Sequence, residues 1–149
     1  MKPFLCAVIL LNLYFNVMAQ DNATNAAAVK PKLTTTICDW QTMKVTKLPN
    51  GERRPLFDGP TATVDTLHCH ITTLNPGETS GEPRLHLQEE IIIIKEGTIE
   101  ATWDGHTQTI GSGSVIYFAA HSVTRLKNVG AVPATYTVVY YLTPLTPTH

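Results

Sequence analysis

The chain has 149 residues, of which 43% are hydrophobic and 15% charged, and its formal charge is −1. With no stripe of Lys and Arg, this near-neutral balance excludes a nucleic-acid partner. The length suits one domain with a core of its own.

Met1-Lys2-Pro3 is a short basic start, Phe4 to Phe15 is mostly apolar with Asn12 interrupting it, and Val17-Met18-Ala19 follows. These features predict a signal peptide over 1–19, cut after Ala19. The apolar run falls short of the ~20 residues that span a bilayer. The expected product is a secreted or periplasmic protein with no membrane partner after cleavage. Cys6 lies inside the apolar run and away from the cut, so lipoprotein processing is not indicated. Asp21 to Lys32 is polar, alanine-rich and aperiodic, which predicts a flexible lead-in. Asn22-Ala23-Thr24 is a glycosylation sequon, meaningful in a eukaryotic secretory pathway. Residues 20–60 as a whole read as an N-terminal extension with short strands.

From Thr34 onward the chain reads as strands and turns. Pro49-Asn50-Gly51 is a hairpin signal, and Asp58-Gly59-Pro60 is a second break. Thr61 to Leu74 alternates and is rich in β-branched residues, until Asn75-Pro76-Gly77 stops it. Gly97 divides an isoleucine-rich strand from Thr98 to Trp103. Asp104-Gly105 is the strongest hairpin signal, because both residues accept the positive φ of a type I′ turn. Strands are expected again at His106 to Ile110, Val115 to Phe118, Val123 to Leu126 and Ala134 to Leu142, before a tail over 143–149. No helical period is present. About eight short strands with tight turns predict an all-β jelly roll or barrel over 61–142. Cys38 and Cys69 remain after cleavage, and their spacing is not that of a zinc finger. Either they form one disulfide or they are two buried thiols.

The richest stretch is Arg84-Leu-His-Leu-Gln-Glu-Glu-Ile-Ile-Ile-Ile-Lys-Glu-Gly97. Arg84, His86, Gln88 and Glu90 lie two residues apart, so on a strand they share a face. Leu85, Leu87 and the isoleucines make both faces largely apolar, which predicts a strand covered on both sides. Polar groups aimed into such an interior are costly without partners, which marks these four as a candidate site. Arg84 reads either as a rim residue paired with Glu82 or Glu89, or as a clamp for a carboxylate or phosphate. His68 and His70 share a face of the preceding strand. The outer face is favoured for them, because Leu67, Cys69 and Ile71 form the more apolar set; the alternative points them inward. Trp103, Tyr117 and Phe118 read as core or wall. The apolar surface of such strands predicts a homodimer.

These residues resemble the cupin superfamily. Its first motif is a Gly, His-x-His, three or four residues, Glu, six residues and Gly. Glu90 and Gly97 match its end, and His86 stands where the second His belongs, with Gly77 one residue further upstream than the strict pattern. The second motif is Gly, five residues, Pro-x-Gly, two residues, His, three residues and Asn; Gly113 and Asn128 match it. The resemblance implies a single cupin-type jelly-roll β-barrel. In metal-binding cupins, two His and the Glu of the first motif and the His of the second hold one divalent metal. Those positions here are Arg84, His86, Glu90 and Thr124. Arg cannot donate a lone pair, and Thr is a poor ligand for borderline metals. The Pro and Gly of the second motif are Ala119 and His121, which puts the shape of that loop in question.

The resemblance thus implies a degenerate divalent-metal site (Fe, Mn, Zn or Ni) held by His86 and Glu90. His121 is the candidate third ligand, read equally as an exposed loop residue, and Gln88 could add an oxygen. Three functions follow. One is a metal-dependent enzyme on a small molecule: dioxygenase, isomerase or sugar-modifying. The second is a metal-free enzyme with His86 and Glu90 as acid and base. The third is a non-catalytic barrel for a small ligand such as a sugar. Arg84, Gln88 and Thr124 are the expected substrate-binding residues. The first reading is favoured because two ligands persist on one face.

Overall fold

The structure, a computed structural model, describes residues 30–147. The expected leader and sequon lie outside them. Among the described residues the fold is all-β, with no helix and ten strands. In chain order they are β1 (Thr46–Leu48), β2 (Gly51–Gly59), β3 (Thr66–Leu74), β4 (Arg84–Leu85), β5 (Glu90–Glu96), β6 (Thr98–Trp103), β7 (His106–Gly111), β8 (Val115–Phe118), β9 (Val123–Asn128) and β10 (Ala134–Leu142). They form a six-stranded sheet, β1-β2-β3-β10-β5-β8, and a four-stranded sheet, β4-β9-β6-β7. All pairings between named strands are antiparallel.

The expected turns occur where the residues permit them. Leu48 faces Gly51 across the Pro49-Asn50 turn. Asp104 (φ 45°) and Gly105 (φ 84°) take the left-handed pair of angles that joins β6 to β7. The core is the space between the two sheets. Leu74, Ile92, Ile94, Tyr136 and Val138 enter it from the larger sheet, and Ile99, Ala101 and Leu126 from the smaller. Asn128 is fully buried at its edge. Its Nδ2 donates to the carbonyls of Leu74 (3.0 Å) and Val132 (2.8 Å), and its Oδ1 accepts from the Gly130 amide (2.9 Å). One amide side chain thereby satisfies the backbone of the β9–β10 connection.

Two expectations are corrected. The Arg84–Glu96 stretch is not one strand. Its start, β4, pairs with β9 in the smaller sheet, whereas β5 pairs with β10 and β8 in the larger. The chain crosses between sheets at Leu87 to Glu89, a corner of the kind by which strands change sheets. Nor is β5 covered on both sides. Ile92 and Ile94 are buried, but Ile91 is 38% and Ile93 43% exposed on the outer face. Alternation set by the pleat overrides an apolar sequence at that end of the sheet.

Elsewhere the outer face is covered by the segment before β1. Leu33 donates its amide to the Pro60 carbonyl (2.8 Å) and sits over Gly59. Lys30 pairs with Asp58. The Trp40 ring lies 4.4 Å from the Arg54 guanidinium on β2 and 3.2 Å from Lys95 Nζ on β5, with β3 and β10 between them. Cys69 and Ile71 are buried on this side, and both Cys38 and Cys69 are free thiols.

Candidate functional site

A cavity of about 850 Å³ opens between the sheets beside the corner. Arg84, His86, Gln88, Glu90 and Thr124 all line it, so the structure brings together every candidate of the first stretch plus Thr124. Thr124 is there because it pairs directly with Arg84 in the β4–β9 register. The corner also explains the compactness of the group. An extended strand would hold the Cα atoms of His86 and Glu90 about 13 Å apart. Around the bend, His86 Nδ1 instead comes to 3.1 Å from Glu90 Oε1, and both side chains are buried.

Arg84 Nε stands 3.2 Å from His86 Nε2. A guanidinium can only donate, so Nε2 must accept and the ring proton belongs on Nδ1, the nitrogen that lies against the Glu90 carboxylate. Gln88 Nε2 makes a long contact of 3.5 Å with the same Glu90 oxygen. Arg84 is exposed at the cavity's edge, as the rim reading expects, but it forms no ion pair with Glu82 or Glu89.

His121 does not join the group. It is exposed and does not line the cavity. Its contribution is through the backbone: its amide donates to the His86 carbonyl (2.7 Å), and the His86 amide donates to the Ser122 carbonyl (3.0 Å). His121 occupies the Gly position of the second motif at φ 65°, the left-handed region in which a side chain is strained. At this position the loop keeps a left-handed backbone without the glycine.

These donors do not fit a resident divalent metal. Both ring nitrogens of His86 are engaged, one by a cation, and a guanidinium stands where a further imidazole would be needed. No group of three His, Cys, Asp or Glu residues able to hold a metal exists among the described residues. The expectation of a metal on His86, Glu90 and His121 is therefore not met by the side chains present.

The favoured outward reading of His68 and His70 is also corrected, since His70 lines the cavity. The more apolar set, Cys69 and Ile71, faces out, where the segment around Trp40 supplies the cover. Arg53 on β2, which sequence reasoning missed, also lines the cavity. Its Nη2 lies 3.2 Å from His68 Nε2 and 3.0 Å from His70 Nδ1. His68 Nδ1 lies 3.2 Å from Asp58 Oδ1, and its ring stacks on Tyr140 at 4.5 Å. Burial, and then the positive charge of Arg53, lowers the His70 pKa to about 3, so this imidazole is neutral. Burial pushes the Tyr136 and Tyr140 phenols up. The signal for Arg53 lay in Arg53-Arg54, whose alternation had to send one guanidinium inward.

No curated protein matches the chain. Among solved structures, an RmlC-like cupin from Shewanella frigidimarina is similar at 12% identity, TM-score 0.61, over 75% of this chain and 95% of that one. A polyketide cyclase from Streptomyces resistomycificus is similar at 17% identity, TM-score 0.62, over 72% and 80%. A sugar phosphate isomerase of the cupin superfamily from Silicibacter pomeroyi is similar at 22% identity, TM-score 0.57, over 73% and 77%. At such identities the likeness concerns the fold alone. A family model described as a cupin domain matches residues 70–140, which run from mid-β3 through β10 and include the whole corner. Motif remnants, two antiparallel sheets, structural neighbours and family model agree: residues 70–140 match the cupin domain, and the fold is that of a cupin.

Proposed function

We propose that this protein is an exported, metal-independent cupin that moves a proton on a small anionic molecule held in the barrel. The observation that carries the reading is His86 fixed between Glu90 (3.1 Å on Nδ1) and Arg84 (3.2 Å on Nε2). A carboxylate oriented on one imidazole nitrogen leaves the other to act as a base and stabilises the imidazolium that forms. An anionic group on the ligand draws Arg84 onto itself in a fork of two hydrogen bonds. That releases the His86 Nε2 lone pair toward a ligand C–H or O–H. Thr124 and Gln88 supply neutral hydrogen-bonding groups on either side. The reaction class is proton abstraction and return next to a carbonyl or carboxylate, as in isomerisation or ring opening of an acidic sugar. A sugar phosphate isomerase and a polyketide cyclase among the structural neighbours are compatible with that class.

The test is solvent deuterium exchange into a panel of sugar acids and sugar phosphates, using chelator-dialysed protein. Wild type should exchange at least one compound, His86→Ala should abolish exchange, and Glu90→Gln should slow it by about 10² or more. Exchange that requires added metal would sink the reading. Saturable binding without exchange would instead favour the binding barrel.

Two further readings accompany it. Export should yield a mature chain beginning at Gln20, which intact-mass analysis of the exported protein checks. A homodimer would use the outer face of the larger sheet at its β8 edge, where Ile91, Ile93, Val115 and Tyr117 are exposed together. Light scattering across a concentration series should show a dimer, and Val115→Lys should shift it to monomer.

A further inference from the structure

Arg53 and Arg84 enter the cavity from the two facing sheets, Arg53 from β2 in the larger and Arg84 from β4 in the smaller. Among the described residues, neither guanidinium forms an ion pair with a carboxylate. The adjacent Arg54, which faces outward, does pair, with Glu52. A partly buried cation without a counter-charge is costly. Arg53 is half-buried and Arg84 is exposed at the mouth. The buried carboxylate of Glu90 lines the same cavity but lies against His86 and on neither arginine. Two cations thus face one carboxylate and leave positive charge for a ligand to meet. The carboxylates at the mouth, Asp65 and Glu82, are exposed and meet neither arginine.

Arg53 is also built in place. The two hydrogens of its Nη2 go to His68 Nε2 and His70 Nδ1. His68 is fixed in turn by Asp58 at Nδ1 and by the stacked Tyr140 ring. Asp58 and His68 are thus positioning residues that aim Arg53. Nε and Nη1 of Arg53 carry no hydrogen bond among the described residues, so its donors remain for a ligand. His70 Nδ1 lies 3.0 Å from both Arg53 Nη2 and His68 Nε2. In the tautomer that accepts from the guanidinium, the His70 proton sits on Nε2, a second donor on this wall.

We propose that Arg53 and His70 form a second anion-binding subsite facing Arg84, and that the ligand is a small molecule with an anionic group at each end. This deepens the proposed function and rests on it only for the role of Arg84. The shared chemistry is a carboxylate or a phosphate at the Arg53 end. Arg53 supplies charge and a planar fork, while His70 adds a donor that stays neutral and brings no further charge to desolvate. His86 then meets the segment of ligand between the two anchors.

Calorimetric titration of chelator-dialysed protein tests this, with malonate, succinate and glutarate against acetate and propionate, and inorganic phosphate as a separate arm. One dicarboxylate should bind about tenfold or more tightly than either monocarboxylate. Arg53→Gln should bring it down to the monocarboxylate level while leaving monocarboxylate affinity within about twofold. Arg53→Lys keeps the charge and should recover only part of the loss. If phosphate competes with the dicarboxylate in wild type but not in Arg53→Gln, the Arg53 end takes phosphate as well. In unmodified protein, the His70 imidazole nitrogen resonances should shift as the dicarboxylate saturates, so the test survives a variant that folds poorly. The proposal is overturned if dicarboxylates bind no more tightly than monocarboxylates, if Arg53→Gln binds them as wild type does, or if the His70 resonances stay fixed at saturation. Failure of the two readings is distinguishable. Arg53-dependent binding without His86-dependent exchange removes the acid/base chemistry and keeps the subsite. Exchange that persists unchanged in Arg53→Gln removes the subsite and keeps the chemistry.

Discussion

At the scale of single residues, charge decides what the cavity tolerates. His70 has an ordinary value of 6.5 and is lowered to about 3 in the fold. The unfolded chain therefore binds a proton that the folded chain refuses. Stability is fully present above about pH 6.5 and falls as pH drops toward 3, by at most ~1.4 kcal/mol per pH unit from this one site. Urea unfolding at pH 7, 6 and 5 should show the slope, and His70→Gln should flatten it. Asp58 and Glu52, both held low by cationic hydrogen-bond partners, add losses of the same sign only in the carboxylate range below. Arg84 makes the opposite point about metals. Arg84→His together with Thr124→His should restore the missing imidazoles, free His86 Nε2 and raise divalent-metal uptake above that of wild type, as elemental analysis of the two proteins will show. A double variant that folds but takes up no metal would mean that the cavity's shape, and not the substitutions, disfavours the ion. The sequence made Arg84, His86, Gln88, Glu90 and Thr124 legible, because strand spacing and motif position both select them. It concealed Arg53 and left His70 between two faces, since which face of β2 and β3 points inward depends on what covers the other face, and that cover lies in a segment with no periodic pattern.

At the scale of elements, turns and strand ends were largely readable, because glycine and proline act locally. Val115–Phe118 and Ala134–Leu142 fall where the residues put them. The corner at Leu87 to Glu89 was not readable. Its apolar–polar alternation is that of an uninterrupted strand, and only pairing to two different sheets breaks it. Gly97, between β5 and β6, shows how firmly such geometry is held. It has φ 87°, and a Cβ there would stand 2.5 Å from Ala134. Gly105 has a similar φ of 84°, but nothing lies within 4 Å of its would-be Cβ. Both alanine variants pay for the left-handed backbone, but only one also collides. Gly105→Ala should cost about 1 kcal/mol and Gly97→Ala about 3 kcal/mol, measured by chemical denaturation. Equal losses would mean that Ala134 gives way freely.

At the scale of the whole molecule, the two sheets share one core, and the larger sheet carries a second apolar layer beneath the segment around Trp40. Removal of residues 20–45 should uncover Cys69 and Ile71. The Cys69 thiol, raised by burial and then by the neighbouring Cys38, should change from slow to fast in its reaction with a thiol reagent, and the melting temperature should drop. Unchanged labelling would mean that the segment is ornamental. That Trp40 bridge also has a practical meaning for anyone trimming the protein to a minimal version. The stretch shared with the family begins at residue 70, halfway along a strand whose outer side lies beneath the segment around Trp40 that precedes it. What relatives have in common and what this chain needs in order to fold are of different lengths. A trimmed version should therefore keep the tryptophan and the two cations that grip it, although none of the three touches the cavity.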